Sequence, residues 1–196
     1  MNQRKLLAQL RPHISDPRVL EAVASVPRDR FVPRRFARSA WDNVPLPIGH
    51  EQTISQPLVV ARMCELLTLR GNERILDVGT GSGYHAAILA RLGAHVWSVE
   101  RHAELSEQAA RNLEAAGVTN VTLLVGDGAQ GLVQEAPFDA INVAASAEEV
   151  PPALPEQLVV GGRLVLPVGE RLIVLERTAD GHERFVAERV RFVPLI

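Results

Sequence analysis

Three stretches of the chain carry residues fit to hold a ligand, and each follows a short apolar run. The first is Asp77-Val78-Gly79-Thr80-Gly81-Ser82-Gly83. Its alternating glycines let backbone amides approach a bound group closely, and the helix expected next presents its N-terminus to the same place. The second is Glu100, about twenty residues past the loop, where an acid in a doubly wound fold accepts both hydroxyls of a ribose. The third is Gly126-Asp127-Gly128, whose acid can accept from an exocyclic adenine amine. Each also has a plainer reading, as a turn or as a solvent-facing acid at a strand end. Together they fall on three successive strand ends, at the edge where open α/β sheets bind ligands.

The spacing within the loop selects among such ligands. Dinucleotide sites read G-x-G-x-x-G. This loop reads G-x-G-x-G, with Tyr84 where the third dinucleotide glycine would fall. A phosphate site is disfavoured, because no G-x-x-x-x-G-K-[ST] segment is present and Lys5 lies far upstream. His13, His50, His85, His95, His102 and His182 show no paired ligand spacing, so no metal centre is expected. With its preceding acid, the loop resembles the first motif of the class I methyltransferases. That resemblance implies S-adenosylmethionine as cofactor.

These groups need a scaffold that gathers strand ends. Leu6, Leu7 and Leu10, then Val19, Leu20 and Val23, recur at helical spacing, punctuated by Pro12 and Pro17. Residues 27–57 are rich in proline and glycine and lack periodicity. Phe31, Val32, Trp41, Leu46 and Ile48 make them too apolar for disorder, so an ordered cap is expected. A helix runs from Pro57 to about residue 69. Strands are expected over 74–78, 95–100, 120–125, 138–145 and 162–168. Helices are expected over 84–92, 103–116 and 152–158, with Gly93 and Gly117 ending the first two. Residues 171–176 and 184–190 read as an antiparallel hairpin around Asp180-Gly181. The expected fold is α/β. It is a doubly wound, mostly parallel sheet with helices on both faces, Rossmann-like, with an N-terminal cap and C-terminal antiparallel strands. One domain over 1–196 is expected, divided into cap (1–57), cofactor-binding core (58–169) and C-terminal strands (170–196).

Composition narrows the partners. Of 196 residues, 21 are basic and 23 acidic, a net charge of -2 that offers no footprint for a polyanion. Arg28, Arg30, Arg34, Arg35 and Arg38 read as a solvated patch, since only Phe31 and Phe36 interleave with them; no nucleic-acid partner is expected. The single cysteine, Cys64, excludes an internal disulfide and reads as a buried structural thiol, consistent with a cytoplasmic location. No apolar run approaches the length that spans a membrane, and no membrane partner is expected. A monomer is expected.

The segment before the first strand is the most specific. It reads Asp42-Asn43-Val44-Pro45-Leu46-Pro47-Ile48-Gly49-His50-Glu51-Gln52-Thr53-Ile54-Ser55-Gln56-Pro57. With Val26-Pro27-Arg28 and Phe31-Val32-Pro33 upstream, it resembles the protein-L-isoaspartate O-methyltransferase family, which carries a PLPIG-x-x-x-TIS-x-P block. The likeness continues through Ser98-Val99-Glu100-Arg101, Pro137-Phe138-Asp139, Leu166-Pro167-Val168-Gly169 and Val190-Arg191-Phe192-Val193-Pro194-Leu195. It implies methyl transfer to the α-carboxylate of L-isoaspartyl residues in damaged proteins and peptides. It also implies Ser55 at the catalytic point, with Thr53 and Ile54 beside the cofactor. The implied cofactor set is then Thr53, Ile54, Ser55, Asp77, Gly79, Thr80, Gly81, Ser82, Gly83, Glu100, Arg101, Asp127 and Gly128. Ser55 also reads as a helix cap before Pro57. Departures stand at Trp41, at His50-Glu51, and at Asn142-Val143-Ala144-Ala145. The last replaces a Val-Thr-Ala-Ala run and is read as a hydroxyl lost at Ala144. These leave open a methyltransferase for one dedicated peptide, or a cofactor-binding module without turnover.

Overall fold

The computed structural model describes residues 2–195. Two helices open it, α1 (Gln3–Leu10) and α2 (Pro17–Ser25). Asn2 caps the first by accepting from the Lys5 amide, and Asp16 caps the second by accepting from Arg18. Pro17 sits in the first turn, where its missing amide costs nothing.

Residues 27–57 are ordered and hold more regular structure than their pattern suggests. Single 3-10 helices cover Arg28–Phe31 and Arg34–Ser39, and β1 (Leu46–Gly49) pairs antiparallel with β2 (Gln52–Ile54). Elements this short leave no periodic trace. Helix α3 (Pro57–Leu66) ends before residue 69, because Thr68 turns into the left-handed region at φ 53°.

Seven further strands form one sheet: β3 (Arg74–Val78), β4 (His95–Glu100), β5 (Val121–Val125), β6 (Phe138–Val143), β7 (Leu158–Val168), β8 (Arg171–Thr178) and β9 (Gly181–Arg189). Their order is β5-β4-β3-β6-β7-β8-β9. The first five are parallel, and β8 and β9 add an antiparallel hairpin. Strand order reverses between β3 and β6, and a ligand crevice belongs at that reversal.

The two faces are covered differently. Ile75, Val96 and Ala140 pack with Leu6, Val19, Val60 and Ile88 from α1–α3 and α4 (Tyr84–Leu92). Helix α5 (Ala103–Ala115) adds Leu113 to this face. On the other face Leu76, Val78, Val99 and Ile141 pack with Leu154, at the start of a 3-10 turn, and with Leu158, the first residue of β7. The helix expected over 152–158 is one such turn, Pro155–Gln157, because β7 already begins at Leu158. Among the described residues no helix is long and apolar enough to cross a membrane.

Candidate active site

Strand β3 delivers the glycine loop to the carboxyl edge of the sheet, beside the ends of β4 and β6. Gly79, Gly81 and Gly83 all stand at positive φ (92°, 54° and 85°), so the turn needs residues without a β-carbon. The Gly79 amide donates to the Val99 carbonyl at 2.9 Å, tying the loop to β4. Glu100 is buried there. Its Oε2 accepts from the Gly81 amide at 2.8 Å, and its Oε1 accepts from the His102 amide at 3.0 Å. Each carboxylate oxygen retains a second acceptor position, so a fixed anion stands ready for paired hydroxyls.

A cleft opens over this edge. Val78, Val99 and Leu195 give it apolar walls, and Glu100, Arg101 and His102 give it one polar rim. A small polar cavity continues from it beside the loop, lined by Thr80, Ser82 and Ser55 at the start of α4. Apolar walls for a base, an anchored acid for a ribose and a polar end at a helix N-terminus fit S-adenosylmethionine.

A second, wider cleft of about 680 Å³ lies on the other side of β2, between Pro45, Gln56, Arg189 and Phe192. Thr53 and Ala144 line both clefts and the small cavity. Ser55 lines the wide cleft and the small cavity. Its alternative role as a helix cap is not realised. The N-cap of α3 is Gln56, and Asn43 Oδ1 takes the Leu58 amide at 3.0 Å. The Ser55 hydroxyl has no partner among the described residues and is available at the junction of the clefts.

Arg28 corrects the sequence reading most sharply. It was expected in a solvated basic patch, yet it is fully buried. Its Nε donates to the Ala40 carbonyl (3.0 Å), Nη2 to Val44 (3.1 Å) and Nη1 to Ser55 (3.3 Å). Its guanidinium carbon lies 5.2 Å from the centre of the Tyr84 ring. One side chain thus gathers the cap and the Thr-Ile-Ser strand onto α4. Burial pushes its pKa down to about 10, which leaves it charged at neutral pH.

Asp77 does not line either cleft. It is fully buried, and the sheet register explains what it does there. Asp77 pairs across with Ser98 on β4 and Asn142 on β6, so the three side chains share one face. Ser98 Oγ and Asn142 Nδ2 each donate to the carboxylate at 2.7 Å. Thr80 Oγ1 joins Ser98 at 2.6 Å, which couples the loop to this row. Asn142 Nδ2 also reaches His85 Nδ1 at 3.2 Å, leaving the His85 Nε2 proton toward Cys64 Sγ at 3.4 Å. Cys64 is buried, as expected, and burial pushes its thiol far above the ordinary range.

Burial pushes Asp77 up to about 6, against the lowering effect of its hydrogen bonds, and pulls His85 down to about 3. The two oppose each other in acid. Asp77 takes a proton in the folded chain below about pH 6, which the unfolded chain takes only near 3.8, so this group adds stability as pH falls through that window. His85 stays neutral in the fold while the unfolded imidazole protonates below about 6.5, so this group removes stability on the way toward pH 3. His85→Gln deletes only the second effect. Compared with the parent by urea unfolding at pH 7.5 and 5, the variant is expected to lose less stability on acidification, by about 2 kcal/mol. Equal losses would show that His85 protonates normally in the fold.

The remaining expected site residues divide. Thr53, Ile54, Gly79, Thr80, Gly81, Ser82, Glu100, Arg101 and Gly128 line the cofactor cleft or its polar end. Gly83 instead packs on α5, where a β-carbon would stand 3.2 Å from that of Ala109. Asp127 is exposed between the lining residues Gly126 and Gly128; its Oδ1 accepts from the Ala129 amide at 2.9 Å, which shapes the turn. Gly128 is required because a β-carbon would meet Val78 Cγ1 at 2.4 Å. Residue by residue, the missing hydroxyl of the Val-Thr-Ala-Ala run falls on Val143 and not on Ala144. Val143 is buried in the apolar cluster away from the cleft. Gln52 and Val193, expected beside the substrate, line the cofactor cleft as well, and His102 was not foreseen as a lining residue. The signal for His102 was its place two positions past Glu100. Val193 arrives by a backbone bond from Ser146 (2.7 Å), a pairing with no local signature.

A doubly wound sheet with this loop, acid and cleft defines a class I S-adenosylmethionine-dependent methyltransferase. The family model described as "Protein-L-isoaspartate(D-aspartate) O-methyltransferase (PCMT)" matches residues 1–196, and the chain belongs to that family. A protein-L-isoaspartate O-methyltransferase of Cronobacter sakazakii is 53% identical, covering 97% of this chain and 94% of its own. One from Marinobacter nauticus is 51% identical, covering 93% and 86%. A solved protein-L-isoaspartate O-methyltransferase superposes with a TM-score of 0.87 at 28% identity, over 98% of this chain; this chain spans 65% of that structure's length. A Plasmodium falciparum structure described as such an enzyme, in complex with S-adenosyl-L-homocysteine, also gives 0.87 at 26% identity, over 100% and 99%.

Proposed function

We propose that this chain transfers a methyl group from S-adenosylmethionine to the α-carboxylate of L-isoaspartyl residues in damaged proteins, which opens their return to aspartate through a succinimide. The observation that carries this reading is the junction at Thr53, Ser55 and Ala144, where a cofactor cleft meets a cleft wide enough for a peptide. The acceptor needs no general base, because a carboxylate with a pKa near 4 is already anionic at neutral pH. The bound sulfonium supplies an electrophilic methyl group and a neutral leaving group. The chain supplies position and dryness.

In this reading Glu100 accepts from the ribose hydroxyls, and the loop amides with Thr80 and Ser82 hold the amino-acid end. Thr53 and Ile54 wall the transfer point, and the free Ser55 hydroxyl donates to the acceptor carboxylate. Asp77 and Gly83 act from behind the cleft by holding the loop in shape, and Asp127, between the lining residues Gly126 and Gly128, accepts from the adenine amine. Residues 190–193 border the wide cleft and suit an extended acceptor recognised through its backbone, as an enzyme indifferent to flanking sequence requires. The reading includes one methyltransferase domain acting in the cytoplasm as a monomer, on proteins and peptides and not on nucleic acid.

The test is methyl labelling of paired peptides that differ only in L-isoaspartate against aspartate. Labelling of the isoaspartyl member alone is expected. Equal labelling of both overturns the acceptor. Tight cofactor binding with no labelling of either points to a module without turnover.

A further inference from the structure

We propose that His50 and His102 form a latch that closes the cofactor cleft, with His50 acting as a positioning residue through His102. Their rings stack with centroids 5.1 Å apart and planes inclined by 29°. His50 is at the tip of the β1–β2 hairpin, and His102 follows the ribose-side acid Glu100. The stack therefore joins two elements distant in sequence across the mouth of one cleft.

Three observations favour a built contact over a chance one. First, the hairpin tip is tight. Gly49 pairs with Gln52, so His50 and Glu51 are the two central residues of the turn, and both stand at positive φ (51° and 58°), as a two-residue hairpin turn requires. That geometry fixes the direction in which the His50 side chain leaves the hairpin. Second, His102 is the N-cap of α5 yet makes no capping bond with its side chain. His102 lines the cleft, its ring lies against His50, and its amide anchors Glu100 Oε1. Third, the hairpin already lies against the cofactor loop. A β-carbon on Gly81 would come within 3.2 Å of Ile48 Cδ1, and Gln52 and Thr53 line the cleft. The stack is the outer fastening of a strap whose inner side forms the wall of the site.

The latch binds no substrate atoms by itself. It holds the His102 ring, and through the His102 amide the Glu100 carboxylate, in the geometry that meets the adenosine end of the cofactor. Loss of His50 is expected to weaken cofactor retention and leave the transfer step alone.

The experiment is calorimetric titration of S-adenosylhomocysteine into the parent, His50→Ala, His102→Ala, the double variant and His50→Phe, without any acceptor peptide. An aromatic pair of this kind predicts an increase in Kd of about three- to tenfold for His50→Ala. His102→Ala should cost at least as much, and the double variant no more than His102→Ala alone. His50→Phe, which preserves a ring on a ring, should restore affinity to within about twofold. With acceptor present, KM for the cofactor should rise for His50→Ala while kcat holds or increases. An unchanged Kd in His50→Ala, independent losses that multiply in the double variant, or a failure of His50→Phe to restore binding would each overturn the latch. The readout needs no acceptor, so it stands apart from the isoaspartyl assignment.

Discussion

Arg28→Met is expected to destabilise the chain by about 3 kcal/mol, a drop in Tm of roughly 6–12 °C for a chain of this size. The substitution keeps most of the volume and removes every donor. The carbonyls of Ala40, Val44 and Ser55 then lose their charged partner together. Buried acceptors left unmade cost about 1–3 kcal/mol each, less whatever water recovers. Arg28→Lys is expected to restore less than half of the loss. A single ammonium cannot serve three carbonyls spread over one planar fork. Function should fall with stability. Ser55 is one of the three residues held, so kcat/KM for the acceptor should drop further than affinity for S-adenosylhomocysteine. Thermal melts and urea titration measure the first part. A loss below about 1 kcal/mol would mean that Phe31, Trp41 and their apolar neighbours hold the cap without the guanidinium.

Ser55→Ala is expected to lower kcat by on the order of 10²-fold, the usual cost of deleting one donor aimed at a reacting oxygen. Stability should change by less than about 0.5 kcal/mol, because the hydroxyl bonds nothing among the described residues and the helix cap comes from Asn43. Affinity for S-adenosylhomocysteine should stay within about threefold, since Glu100 and the loop hold most of the cofactor cleft. Ser55→Thr keeps the hydroxyl and should recover part of the rate. A full rate in Ser55→Ala would remove this residue from the chemistry and leave Thr53 as the group at the junction.

Ser55 could be singled out because the Thr-Ile-Ser block resembles that of a known family. Arg28 could not, because an arginine among arginines looks solvated until its carbonyl partners are known, and those lie between 12 and 27 residues away. Asp77 shows the same limit from the other side. Its place before the loop was legible, but its role as the centre of a buried row depended on which residues of β4 and β6 stand beside it. A slip of one position in either strand would have turned Ser98 or Asn142 to the opposite face.

The glycine loop, Glu100 and the parallel strands were determined by the sequence itself. Their requirements are local: positive φ at three glycines, an acid at a strand end, and apolar runs of strand length. The order of the strands, the depth of Arg28, the row through Asp77 and the closing of the His50 hairpin over His102 were decided only by tertiary structure. Each depends on what a distant segment places opposite. Burial, register and ring contact are properties of pairs of segments, and no single stretch of chain encodes them.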